Sequence, residues 1–287
     1  MKKTLVIFVV LVFVLLAGCS PRSPGQSHMQ LLPLPEEESI VLGQRYLNGP
    51  RREAEPEPHE LLASSGEMQA AHGVRSPIGE GERLVALTFD DGPSHHTDRI
   101  LDLLEEHGGA ATFFVLGYRI ENHRSTIERA VQLGSEVAGH SWDHPNMSLL
   151  SEEEIKRQIR EVSQAIAQFT GEQPRIFRPP YGRTNETVRC ASGQLGYAIV
   201  NWTVDTRDWE HRDADHIYNA IMGTVQSGDI VLMHDIYATT VEAVERVIPR
   251  LIEEGYRLVT VSELIGHLYG EPQPGVIYGK DYDVPLI

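Results

Sequence analysis

Cysteine is scarce: Cys19 and Cys190 are the only two in 287 residues. A disulfide framework is therefore ruled out as the basis of the fold. The chain must instead bury a core, for which its length is ample. Basic residues are also in short supply, 25 Lys and Arg against 41 Asp and Glu, a formal net charge of −16. That balance argues against nucleic acid as a partner, because phosphate neutralisation needs clustered cations. It also sets the body of the protein against anionic lipid headgroups. Long apolar runs are missing except at the start, where residues 5–17 follow Met1-Lys2-Lys3.

That run is shorter than the ~20 residues of a spanning helix. Lysines before it and small residues after it form a secretory signal. Its end, Leu16-Ala17-Gly18-Cys19, resembles the lipobox of bacterial lipoproteins. The resemblance implies a signal peptide over residues 1–19, acylation of Cys19, and a protein held outside the cytoplasmic membrane by lipid. An uncleaved anchor helix is the alternative and leaves the rest of the chain on the same side. With Cys19 acylated no intrachain disulfide is possible, and Cys190 reads as a packed small apolar residue.

Residues 20–81 are rich in Pro, Glu, Ser and Gly and read as a flexible stalk. From Arg83 short apolar runs alternate with helix-period segments. Residues 84–89, 111–115, 136–139, 175–177, 197–202, 229–233 and 257–261 read as strands. Helices are expected from Thr97 as a cap, over 120–133, from the capping box Ser151-Glu152-Glu153-Glu154, and over 184–195, 214–225 and 239–254. Strand–helix alternation with buried strands points to an α/β fold with a parallel sheet, and about seven units suit an irregular (β/α) barrel. The domain is placed at 82–270 and a surface extension at 271–287.

Polar clusters follow the strands, where parallel α/β folds carry their sites. Thr88-Phe89-Asp90-Asp91-Gly92-Pro93 puts two carboxylates behind an apolar strand, which calls for a cation or for turn duty. His140 and His144, four apart, can converge on one ion with Asp90 or Asp91 as third ligand. Arg178-Pro179-Pro180-Tyr181-Gly182 is a stiff turn whose arginine can pair with a carboxylate. Asp205-Thr206-Arg207-Asp208-Trp209 and Leu232-Met233-His234-Asp235 complete the series.

These five segments, over residues 83–268, resemble the motifs of the polysaccharide deacetylases of carbohydrate esterase family 4. The resemblance implies Asp91, His140 and His144 as ligands of a divalent metal, usually zinc. It implies Asp90 as base, Arg178 as the cation that tunes it, and the Tyr181 N–H as an oxyanion donor. His234 would be the acid and Asp208 the carboxylate that keeps it charged, with Trp209 and Leu232 walling the acetyl pocket. Asp205 belongs to a motif but receives no role. The implied reaction is metal-dependent removal of N-acetyl groups from N-acetylglucosamine-containing polysaccharide. Asp at 91, where some muramic-acid-directed relatives carry Asn, favours N-acetylglucosamine units. Peptidoglycan comes ahead of chitin-type oligomers, because the stalk tethers the enzyme near the wall. An O-acetyl xylan esterase and a non-catalytic wall-binding lipoprotein are the competing readings. A monomer is the default, and His95 and His96 read as loop residues near the cleft.

Overall fold

Alternation along the first strand decides where the site lies. β1 (Arg83–Asp90) is buried from its second residue on. Val85, Leu87 and Phe89 face one way and join the larger core, while Leu84 and Ala86 face the other and join a second core. Thr88 and Asp90 continue that second, inward face, so its C-terminal end is polar.

The computed structural model describes residues 76–279. The expected signal peptide, acylated Cys19, residues 20–75 of the stalk and residues 280–287 lie outside the described residues. After β1 come α1 (Thr97–Glu106), β2 (Thr112–Val115), the short α2 (Gly117–Ile120), α3 (Arg124–Gln132) and β3 (Glu136–Gly139). The long α4 (Glu152–Thr170) leads to β4 (Ile176–Phe177), α5 (Glu186–Gln194), β5 (Ala198–Val200) and β6 (Val204–Asp205). Then follow α6 (Asp208–His211), α7 (Ala214–Met222), β7 (Asp229–His234), α8 (Ala238–Glu253), β8 (Tyr256–Leu258), α9 (Val261–Tyr269) and β9 (Ile277–Tyr278).

The strands pair in parallel in the order β6-β7-β1-β2-β3-β4-β5-β9, with β8 alongside the first half of β1. The sheet curls into a half-barrel with helices on its outer face, the α/β barrel expected. Outside, Ile100 and Leu104 of α1, Val162 of α4, Ile221 of α7 and Val244 and Val247 of α8 cover the outward residues of β1, β2 and β7. Inside, Val261, Leu264 and Ile265 of α9 fill the lower half against Leu84, Ala86, Phe114, Ala138 and Ile230. The capping boxes Ser151–Glu154 and Thr260–Glu263 start α4 and α9. Pro249 lies within α8 without ending it.

Several expectations are corrected. Thr97 does not cap α1: His96 holds the N-cap position without a side-chain bond, and the Thr97 hydroxyl turns inward. The helix expected over 120–133 is divided at Glu121–His123 by a 3₁₀ turn. The strand expected over 197–202 is only Ala198–Val200, and Val204–Asp205 is a separate strand against β7. The last strand stops at Leu258 because the Thr260 capping box opens a helix. The region after Glu271 is not all surface, since Ile277 and Tyr278 pair with β5 and are buried. Local sequence missed that pairing because two residues carry no period. Cys190 is half-buried on α5 rather than packed in the core as expected.

Tyr278, with 2% of its surface exposed, closes the inner core at the β5 edge and accepts the Gln273 N–H through its hydroxyl. Tyr278→Ala should cost about 3–5 kcal/mol, the usual range for emptying a buried aromatic site. Urea unfolding of the full chain, read against wild type, measures it.

Candidate active site

At the mouth of the half-barrel the inward positions of successive strands are polar. β1 ends on Asp90, β3 runs into His140, β4 into Arg178, and β7 ends on His234. Asp90 and His234 are direct neighbours in the β1–β7 register. The His140 N–H donates to the Val115 carbonyl at 2.9 Å and the Arg178 N–H to the Gly139 carbonyl at 3.0 Å, which extends both strands by one residue.

Arg178 is fully buried. Its Nη1 donates to the Asp90 carboxylate and to the Thr88 hydroxyl, each at 2.7 Å. Its Nε reaches the Val200 carbonyl at 3.1 Å and its Nη2 the Asn201 carbonyl at 3.0 Å. The guanidinium also lies 4.0 Å from the Phe114 ring centroid. Burial pushes the Asp90 carboxyl upward, and the charge of Arg178 pulls it back.

A second carboxylate–cation unit faces it. Asp208, fully buried at the start of α6, accepts from His234 Nδ1 at 2.7 Å, from the His234 backbone N–H at 2.7 Å and from the Thr240 hydroxyl at 2.7 Å. Burial opposes charge on His234. The Asp208 hydrogen bond and charge outweigh it, with help from Asp90 and Asp91, and lift the imidazole to about 9.

Asp91, His140 and His144 form the third unit, their ligand atoms all within 4.8 Å of one another. The Asp91 Oδ1 lies 3.2 Å from His144 Nε2 and 3.6 Å from His140 Nε2. It is buried and accepts no hydrogen bond. His140 Nδ1 donates to the Arg178 carbonyl at 2.8 Å, which leaves Nε2 as the lone-pair side. Burial drives the His140 pKa down to about 3, so the ring is neutral and able to ligate. Bonds of ~2.0–2.1 Å in a tetrahedral zinc site put ligand atoms about 3.3 Å apart, so the spacing and the orphaned oxygen fit a divalent ion.

The loops that carry these groups are strained. The described non-glycine residues with left-handed backbones are Asp91, Ser141, His144, Tyr181, Arg207 and Arg212, at φ 70°, 75°, 63°, 61°, 51° and 50°. Four of them belong to the ligand and Tyr181 turns, and the other two bracket Asp208–His211. Each costs about 1–3 kcal/mol, sustained only by surrounding bonds. Around His140–His144 those bonds come from Gln158 of α4, whose Oε1 accepts from the Trp142 N–H at 2.7 Å while its Nε2 donates to Asp143 at 2.6 Å.

The structure thus brings Asp90, Asp91, His140, His144, Arg178, Asp208 and His234 together. Tyr181 sits beside them, 59% exposed, its ring edge-on to His144 at 4.6 Å. Leu232 is buried on the inner face of β7 and Trp209 is 48% exposed on α6. Asp205 stands apart: it is exposed, and its carboxylate accepts the Arg207 N–H at 2.9 Å, a turn-forming bond. His95 and His96 lie in the β1–α1 loop with ring centroids 3.8 Å apart. Sequence reasoning missed Thr88, Gln158, Asn201 and Thr240. Gln158 had a signal, a polar residue on the apolar face of α4 beside Ile155, Ile159 and Val162.

A family model described as polysaccharide deacetylase matches residues 78–200. A curated relative, the peptidoglycan-N-acetylmuramic acid deacetylase PdaC of Bacillus subtilis, is 39% identical over 188 residues, 65% of this chain. The chain spans 40% of that relative's length. A peptidoglycan-N-acetylglucosamine deacetylase of Bacillus cereus is 34% identical over 205 residues, covering 69% of this chain and 96% of the relative. The solved structure of PdaC superposes with a TM-score of 0.63 at 39% identity, over 65% of this chain and 92% of that one.

Removing one partner of a buried ion pair leaves an uncompensated charge and costs about 3–5 kcal/mol. Arg178→Met should lose that much in denaturant unfolding. Adding Asp90→Asn in the same chain should recover part of it, since the orphaned charge is then gone.

Proposed function

The chain belongs to the polysaccharide deacetylase family, and on that footing we propose that it is a metal-dependent N-deacetylase of N-acetylglucosamine-containing polysaccharide. Peptidoglycan is the first candidate substrate, the polymer acted on by the relatives above according to their names. The observation that carries the reading is the register of Asp90 against His234, beside the cluster of Asp91, His140 and His144. It places a carboxylate held by Arg178 next to an imidazole held protonated by Asp208.

Asp91, His140 and His144 would hold a divalent ion, and the donor set of two imidazoles and one carboxylate suits zinc. Such an ion supplies Lewis-acid polarisation and an acidified water. Asp90 takes a proton from the attacking water; its remaining oxygen is free to do so because Oδ1 is held by Arg178. The Tyr181 N–H, turned by its left-handed backbone, donates to the developing oxyanion. His234 gives its proton to the leaving amine nitrogen, without which the amide C–N bond would have to expel an amine anion. Leu232 and Trp209 border the space for the acetyl methyl.

We further propose that the enzyme is anchored outside the cytoplasmic membrane by lipid on Cys19, with the stalk expected over residues 20–81 as tether. Intact mass of the full-length chain tests this. A mass increment of the acyl groups supports the anchor, and its absence removes it.

Acetate release is the direct test of the activity. It should come from N-acetylglucosamine oligomers or peptidoglycan, cease with a chelator and return with zinc. Release only from acetylated xylan would replace the reading with an esterase, and no release from any of the three would remove it. His234→Ala should lower the rate by about 10²–10⁴.

The pH profile follows from the imidazole. His234 titrates near 9 in the fold against an ordinary 6.5, so the acid is present at neutral pH and is lost as pH rises through about 9. The stability of the Asp208–His234 pair has the same sign, complete below 6.5 and lost toward 9. Asp208→Asn should move the alkaline limb of kcat/KM down by about one pH unit or more, because the raising partner is removed.

A further inference from the structure

Asp235 follows His234 directly and has no part in the reaction as drawn, yet it is fully buried. Its Oδ2 accepts from the Thr97 hydroxyl at 2.5 Å, and its backbone carbonyl accepts from the Ser94 hydroxyl at 2.5 Å. The Thr97 oxygen in turn accepts the Ser94 N–H at 2.8 Å, which closes a three-residue knot between the end of β7 and the loop after β1. The other oxygen, Oδ1, is buried without a hydrogen bond. A buried carboxylate with one orphaned oxygen is a costly way to fill space.

Gly92 explains what that carboxylate holds. Its φ is not among the left-handed ones, so conformational freedom is not the reason for a glycine. A Cβ at this position would stand 2.2 and 2.3 Å from the two carboxylate oxygens of Asp235. The side chain therefore lies flat against the bare Cα of the residue that follows Asp91. On its far side Gly92 is tied to β2, its carbonyl accepting the Leu116 N–H at 2.9 Å. Asp91, with a left-handed backbone, is thus set by a loop clamped between β2 and Asp235.

We propose that Asp235 is a positioning residue that locks the Asp91–Thr97 loop onto β7, and so fixes the metal ligands relative to the acid His234. His140 and His144 belong to the β3 loop, and His234 to β7. Asp91 lies between, on a strained backbone that its own strand does not hold beyond Asp90. Among the described residues the Asp235 carboxylate, through Thr97 and its contact with Gly92, and the Ser94 hydroxyl, on the Asp235 backbone carbonyl, join the Asp91 loop to the strand end bearing His234. Partners that orient a ligand in this way are commonly worth 10–100-fold in metal affinity.

The inference rests on reading Asp91, His140 and His144 as a metal site, and the test separates the two. Zinc affinity is measured on the full chain by competition with a chromophoric chelator, beside kcat/KM for acetate release. If wild type binds no zinc, the metal reading itself fails. If it binds, Asp235→Ala should weaken zinc about 10-fold or more, and Asp235→Asn, which keeps the shape and an acceptor for Thr97, should stay within about 3-fold. Gly92→Ala alone should lose as much as Asp235→Ala, because the new methyl expels the carboxylate. In the Asp235→Ala background it should add little, because the obstructing oxygens are gone. Should Asp235→Ala fail to fold, Thr97→Val, which cuts the 2.5 Å bond and leaves the carboxylate in place, should give a loss of the same sign. Wild-type zinc affinity in Asp235→Ala, no rescue by Asp235→Asn, or additive losses in the double variant would each overturn the proposal.

Discussion

A guanidinium with no solvent exposure must find all its hydrogen bonds inside the protein, and the arrangement of the barrel mouth follows from how Arg178 does so. Its bonds reach Asp90 and Thr88 on β1, the Val200 carbonyl on β5 and the Asn201 carbonyl just beyond. Thr88 passes the connection on, its hydroxyl donating to the Val231 carbonyl of β7 at 2.7 Å. One side chain thereby ties four strands of the half-barrel across its interior. The Arg178 carbonyl also fixes the His140 tautomer, so the same residue sets a ligand and a base at once. Such a network is tolerable because each guanidinium nitrogen has a partner and four of its five N–H groups are bonded; a half-satisfied one would be worse than an apolar core.

The division of the barrel interior into an apolar lower half and a polar mouth is the consequence. α9 fills the lower half with Val261, Leu264 and Ile265, so the ion pair rests on apolar side chains. Above it, the carboxylates of Asp90, Asp91 and Asp208 sit within one small region. Arg178 offsets the first and His234 the third. Asp91 has the neutral His140 ring and the His144 ring at its buried oxygen and no Arg or Lys partner among the described residues, which is what makes the site fit a cation. The strained backbones at Asp91, Ser141, His144 and Tyr181 belong to the same design, since they turn side chains and amides into the mouth that regular strands would point elsewhere.

Much of this was legible before any coordinates. The alternation of β1, the strand-terminal polar clusters and the capping box at Ser151 are local signals, and local physics produces them directly. What was not legible falls into two kinds. Two-residue strands such as Val204–Asp205 and Ile277–Tyr278 have no period, and exist only because a neighbouring edge receives them. Supporting polar groups such as Asn201 and Thr240 look like ordinary surface or turn residues until the fold brings a charged partner against them. Thr97 shows the difference: its local reading is a helix cap, yet a carboxylate 138 positions away takes its hydroxyl instead.

By itself, the sequence determined the α/β class, the order of the strand ends and the residue types gathered there, because hydrophobic period and side-chain chemistry are local properties. The resemblance of five spaced segments to a known family then named a reaction for them. Tertiary structure alone decided that Asp90 lies opposite His234, that Arg178 is wholly buried with a partner for each nitrogen, and that Gly92 must lack a side chain. Register and close approach depend on which strands become neighbours, and no window of a few residues contains that information.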